Sequence, residues 1–174
     1  MAYDTRNPNY TPDISVNYPR HLVNVVDFTS STWNTVATHE VFTVTGLVLF
    51  RTWVACTESL AGGGTFQYGT EDSGSGFAST GLFMPATTAT EIDAGRFLCG
   101  YPTISAAVDV IHPYLTNSTT NGVGFAINES ILYNVDVGYE IIAAALTDGT
   151  LEFHCIWEPL TAGASVIIGA GGTL

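Results

Sequence analysis

The stretch His39–Leu60 reads HEVFTVTGLVLFRTWVACTESL and decides the fold class. It is rich in β-branched and aromatic residues, which favour a pleated, half-buried surface over a helix. Gly46 interrupts it, and two readings follow. If Thr45-Gly46 is a tight turn, Val44 meets Leu47, Phe42 meets Leu49, and Glu40 faces Arg51 across the strands. If Gly46 is a bulge in one long bent strand, Phe42, Val44, Val48, Phe50, Val54 and Cys56 share a face. The even-numbered set is the more apolar, which favours the bent strand.

Outward from this stretch, turn signals recur at short intervals: Gly62-Gly63-Gly64, Asp72 to Gly76, Asp93-Ala94-Gly95, Asn121-Gly122, Asp148-Gly149 and Gly163. Short apolar-rich runs lie between them. That rhythm predicts an all-β protein, an antiparallel β-sandwich of jelly-roll-like kind. The best helix candidate, Thr87–Leu98, is crowded with β-branched residues and reads as a loop with one turn. In IIAAALTDGTLEFHCIWEPL, Asp148-Gly149 predicts a two-residue hairpin turn. It pairs Leu146 with Leu151, Ala144 with Phe153 and Ile142 with Cys155 on the core face. Glu152, His154 and Glu158 fall on the other face, and Pro159 ends the strand.

Residues 1–20, MAYDTRNPNYTPDISVNYPR, differ from the rest. Three prolines punctuate them, and no period is visible. They read as an extended N-terminal arm, followed by a single sandwich domain over 21–174. Tyr3, Tyr10 and Tyr18 are its candidate partner-binding anchors, since a tyrosine ring buries area while its hydroxyl finds a partner.

The 174 residues fit one domain, able to bury roughly 70% of its unfolded surface without a disulfide or metal staple. Charged residues make up 11% of the chain, against a usual share of about 25%. The basic residues are Arg6, Arg20, Arg51 and Arg96; lysine is absent, and the net charge is -12. That balance disfavours nucleic acid, whose binding rests on cationic contacts to phosphate. It equally disfavours an anionic membrane surface. Sparse charge suits large interfaces, whose cores are depleted in charge. Cys56, Cys99 and Cys155 form no CxxC pair, so buried free thiols in a reducing compartment are expected. The start of the sequence has neither a basic n-region nor an apolar run, so no signal peptide is expected.

Chemistry is hard to find. His21, His39, His112 and His154 form neither HxH nor HExxH, so no metal site is expected. His39 and Glu40 are adjacent and point to opposite faces of a strand. There is no GxSxG elbow. AGGGTF (61–66) lacks the lysine and helix of a phosphate loop and reads as a flexible hairpin tip. Glu71-Asp72 and Glu91/Asp93 are loop acids whose solvated role outweighs a catalytic one. Neither an enzyme nor a cofactor is expected.

The stretches THEVFTVTGLVLFRTWVACTESL (38–60), TTATEIDAGRFL (87–98) and DGTLEFHCIWEPLTAGASV (148–166) together resemble small all-β capsid decoration, or cement, proteins of tailed bacteriophages. The resemblance implies a virion protein, assembled in the host cytoplasm and seated on the capsid exterior. Its partners would be the major capsid protein lattice and other copies of itself, as a homotrimer. A second reading is a carbohydrate- or receptor-binding β-sandwich module, using Trp33, Trp53 or Trp157 as exposed stacking platforms. The exposure of those tryptophans discriminates between the two.

Overall fold

The structure, a computed structural model, describes residues 19–71, 77–98 and 128–169. The described residues form eight strands: β1 (Arg20–Asp27), β2 (Thr38–Gly62), β3 (Thr65–Glu71), β4 (Phe77–Thr88), β5 (Phe97–Leu98), β6 (Asn128–Ile142), β7 (Leu146–Pro159) and β8 (Ser165–Ile168). All pair antiparallel in one sheet of order β1-β7-β2-β6-β3-β4, with β5 and β8 also paired to β2. Among the described residues the helical content is one 3-10 turn, Ala89–Glu91, within the segment expected to hold a turn. The protein is all-β and antiparallel.

β2 is the spine. It runs unbroken through Gly46, and Phe42, Val44, Val48, Phe50, Val54 and Cys56 are all buried on its inner side. The bent-strand reading is the correct one. Glu40 does not face Arg51: Glu40 accepts a hydrogen bond from the Thr43 hydroxyl, whereas Arg51 pairs with Glu129.

Two residues of β2, Thr45 and Gly46, oppose the single residue Asn134 of β6. Gly46 sits at φ +71 and Asn134 at φ +44, left-handed values that glycine and asparagine adopt most readily. The donors freed by this bulge are satisfied locally. Gly46 N–H donates to Asn134 Oδ1 at 2.7 Å and Leu47 N–H to Thr161 Oγ1 at 3.1 Å. Before the bulge one edge of β2 carries β8; after it the same edge carries β7. The opposite edge carries β6 and then β5.

A second register shift, between Glu40 and Phe42, turns consecutive Val41 and Phe42 both inward. The bends bring the ends of β2 round toward one place. Thr38 pairs with Glu140, and Gly62 pairs with Leu146, just across the β6–β7 connection. The inner face thereby closes on itself. Phe153 of β7 reaches Phe66 and Tyr68 of β3 at 6.2 and 5.2 Å between ring centres, although β2 and β6 lie between those strands in the sheet. Tyr139 lies nearly parallel to both Phe66 and Phe153, and Phe28 meets its edge. Two hydroxyls enter this core with partners. Tyr68 shares a 2.8 Å bond with Thr52, and Tyr139 donates to the Trp33 carbonyl at 2.7 Å. Burial pushes both phenols far above their ordinary range.

The expected hairpin at Asp148-Gly149 is not there. β7 passes straight through these residues, paired on one edge with β1 and on the other with β2, and β6 does not pair with it. Asp148 lies opposite Ala61, and Gly149, at φ +108, takes up a bend instead of a reversal. Its N–H is held by the Asp148 carboxylate at 2.9 Å, and its carbonyl accepts from Phe28 N–H at 2.9 Å. The chain reverses earlier, through Ala143 at φ +73. The facing of β7 is nevertheless as expected: Leu146, Leu151, Phe153 and Cys155 are buried, and Glu152, His154 and Glu158 lie on the other side. The glycines at 62–64 join β2 to β3, which do not pair with each other, so they are not a hairpin tip. Of the arm expected over 1–20, residues 1–18 lie outside the described residues, and Arg20 is the first residue of β1.

Candidate interaction face

From Leu47 to Trp53 the odd-numbered residues of β2 point away from the core, as do the even-numbered residues of β7 from 152 to 158, and with their neighbours on β1 and β6 they form one outer face. Register fixes its rows. Leu47 lies opposite Tyr133, and Leu160 N–H bonds to the Leu47 carbonyl. Next come Glu158, Leu49 and Ile131; then His21, Ile156, Arg51 and Glu129; then Val23, His154 and Trp53. Ile131 and Tyr133 are each 66% exposed, Leu160 is exposed, and Leu47 and Leu49 are half-buried between them. This is a contiguous apolar block on the solvent side, rimmed by acids. Such rimmed patches mark surfaces that contact another molecule.

Arg51 stands beside the block. Its Nε donates to Glu129 Oε2 at 2.6 Å, and its Nη1 lies 3.6 Å from Glu158 Oε1. Exposed pairs of this kind contribute little to stability. Their effect here is to hold one cation and two carboxylates in a fixed layout.

The next row is aromatic. Trp53 and His154 lie face to face with ring centres 4.9 Å apart and planes at 6°. His21 from β1 is parallel to both. His21 Nε2 and His154 Nδ1 are 3.2 Å apart, and His154 Nε2 lies 3.3 Å from Glu152 Oε2. Burial holds His154 below the ordinary histidine range; Glu152 opposes that shift and His21 reinforces it. Burial likewise lowers His39, whose ring lies 4.9 Å from that of Tyr139 and whose Nε2 donates to the Thr35 carbonyl at 3.0 Å.

These two depressed histidines set an acid limit. The unfolded chain binds protons near pH 6.5 that the folded chain resists, so the histidines' contribution to stability is full above that value and falls as pH drops below it. Urea midpoints taken at pH 8 and pH 5.5 should therefore differ, with the lower midpoint at pH 5.5. Equal midpoints contradict the assigned burial.

Among the residues expected to carry function, Tyr3, Tyr10, Tyr18, Asp72, Cys99 and His112 lie outside the described residues. Trp157 is buried, with the Arg20 guanidinium 4.8 Å above its ring, and Trp33 and Trp53 are half-buried. Trp33 packs over His39. Asp93 is paired with Arg96 at 2.7 Å. Cys56 and Cys155 are buried free thiols, pushed up to about 11 and about 12 by that burial. No group of three or more His, Cys, Asp or Glu side chains converges to hold a metal ion among the described residues, and no helix there is long and apolar enough to cross a membrane.

Sequence reasoning missed Ile131 and Tyr133. The run Ile131-Leu132-Tyr133 is apolar on both faces of its strand, and only Leu132 is buried. The signal was there: a strand apolar on both sides either lies in the middle of a protein or presents one side to a partner. No family model matches the chain, and no curated protein or solved structure matches it either.

Proposed function

We propose that this chain is a virion structural protein, a capsid decoration or cement protein that binds the outer capsid lattice and stabilises it. The observation that carries the reading is the outer face of β7, β2 and β6, where Ile131, Tyr133 and Leu160 stand exposed beside an Arg51–Glu129–Glu158 cluster. An aromatic and aliphatic centre with a charged rim is the usual anatomy of a protein-binding surface. The resemblance of the three stretches to phage decoration proteins supplies the partner, the major capsid protein lattice. The half-buried setting of Trp33 and Trp53 and the burial of Trp157 favour this reading over a sugar-binding one.

In its finer form the reading is a jelly-roll-like β-sandwich, with β2 passing from one layer to the other at Gly46, as strands do at bulged corners. The assembly is a homotrimer, because three joined weak contacts raise effective affinity by orders of magnitude. The arm, with Tyr3, Tyr10 and Tyr18, reaches a neighbouring subunit or capsomer. With -12 on each chain, either the acids face outward and binding is nearly independent of salt, or the lattice surface is basic and binding weakens as salt rises; Glu129, Glu152 and Glu158 on the outer face favour the basic lattice surface.

The test is co-sedimentation with particles assembled without this protein. The parent chain should pellet with them. The double variant Ile131→Asp, Tyr133→Asp should fold normally, since both side chains are exposed, and bind at least about 100-fold more weakly, as loss of two anchors implies. Failure of the parent chain to pellet at any salt concentration overturns the proposal.

A further inference from the structure

Beside the apolar block, the outer face holds a chain of hydrogen bonds whose protons can be assigned from geometry. The ring centres of His21 and His154 are 5.4 Å apart with planes at 9°, while the facing nitrogens are 3.2 Å apart. The centres are farther apart than the nitrogens by only about the depth of the two rings, so the imidazoles meet edge to edge, nitrogen toward nitrogen. One of those nitrogens must donate and the other accept.

Glu152 decides which. Its carboxylate only accepts, and it faces His154 Nε2 at 3.3 Å, so that nitrogen carries the hydrogen. A neutral His154 then has a bare Nδ1, and His21 must donate to it from Nε2. One added proton on His21 Nδ1 leaves every bond intact. A second must enter on His154 Nδ1, where it points at the His21 Nε2–H across 3.2 Å. Two donors facing each other cannot bond, so the pair separates.

We infer that His21, His154 and Glu152 form a proton-controlled latch in the interaction face, closed while the histidine pair carries at most one added proton and open when it carries two. The groups around it are few. β1 supplies His21 and, before it, Arg20, whose guanidinium is over Trp157. β7 supplies Glu152 and Glu158. β2 supplies Arg51 and Trp53, and β6 supplies Glu129, which pairs with Arg51. Leaving Arg20 aside, one arginine and three glutamates give this face a formal charge of -2, and two added protons cancel it. Opening also takes His21 off Trp53. β1 ends the sheet and is joined to it through β7, so the latch is a side-chain clamp on an edge strand.

The consequence for docking rests on the proposed function: a basic lattice surface loses its electrostatic match, and the aromatic row loses its shape, when the latch opens. The lowered proton affinity of His154 is in the direction the clash requires.

The test is a histidine ¹⁵N titration of the free protein. At pH 8 His154 should show hydrogen on Nε2 and none on Nδ1. As pH falls, the pair should titrate in two steps that depend on each other, the sign of coupled sites. In His21→Phe, an exposed position, the lower step should move up because the opposing donor is gone. Hydrogen on His154 Nδ1 at pH 8, or two independent curves unchanged by His21→Phe, overturns the latch. Co-sedimentation with particles then separates the two proposals. Binding about tenfold weaker at pH 5 than at pH 8, and less so in His21→Phe, supports control of docking, while pH-independent binding overturns that control. No binding at any pH overturns the proposed function and leaves the titration to judge the latch.

Discussion

Gly46→Val should destabilise the protein by about 3 kcal/mol or more. Two effects add. The backbone there is at φ +71, and a β-branched residue in that region costs about 1–3 kcal/mol. A side chain also has nowhere to go: a Cβ at this position would lie 2.9 Å from both Cα and Cβ of Ala164 and 3.2 Å from the Thr161 hydroxyl. Forcing an atom into such a site costs about another 1–3 kcal/mol. The neighbours belong to the turn that leads into β8, so the strain falls where β2 changes partners from β8 to β7. Gly163 supplies the control. Its φ is +79 with nothing within 4 Å of the notional Cβ, so Gly163→Val carries the backbone term without the clash. Urea unfolding of the two variants should place Gly46→Val well below Gly163→Val. Equal midpoints would mean that the bulge is not packed against the 161–164 turn.

Phe153→Ala is expected to cost about 3–5 kcal/mol, the range for truncating a large buried aromatic. For a domain of this length that lowers the melting temperature by roughly 10 °C. Phe153 is fully buried and touches Tyr139, Phe66 and Tyr68, so it joins strands on both flanks of β2. Removing it leaves a cavity where β7 meets β3 across the core. A purely local role, with Phe153 packed just on its sheet neighbours, predicts a smaller loss. Thermal melts of Phe153→Leu beside Phe153→Ala distinguish the two, because leucine refills most of the volume and should recover more than half of the loss.

The sequence makes some of this legible. The even-numbered apolar set of β2 and the odd-numbered set of β7 show which side faces the core, because strand side chains alternate. Gly46 is visible as a break in an otherwise continuous strand. The pairing is not visible. β2 pairs with β6 and β7 across long sequence separations, Val48 with Leu132 and Phe50 with Trp157, and no local signal announces such partners. Asp148-Gly149 misleads for a physical reason: a residue pair that tolerates positive φ serves a bend inside a strand as well as a reversal between two. The shift at Glu40–Phe42 is hidden because Val41 and Phe42 are both apolar, so neither alternation stands out. The outer face was the least legible part. Its residues are ordinary strand formers, and only their pairing into rows makes Ile131, Tyr133, Leu47, Leu49 and Leu160 one surface.

Heating particles tests the proposal that this surface clamps a capsid lattice. Particles assembled without the protein are divided into three: one left bare, one saturated with the parent chain, and one mixed with the Ile131→Asp, Tyr133→Asp double variant. Rupture is followed by release of the packaged genome to a dye. The parent chain should raise the rupture temperature, and the double variant should leave it at the bare value. Rupture at one temperature in all three samples contradicts the stabilising role, and equal protection by parent and variant contradicts the assignment of the binding face.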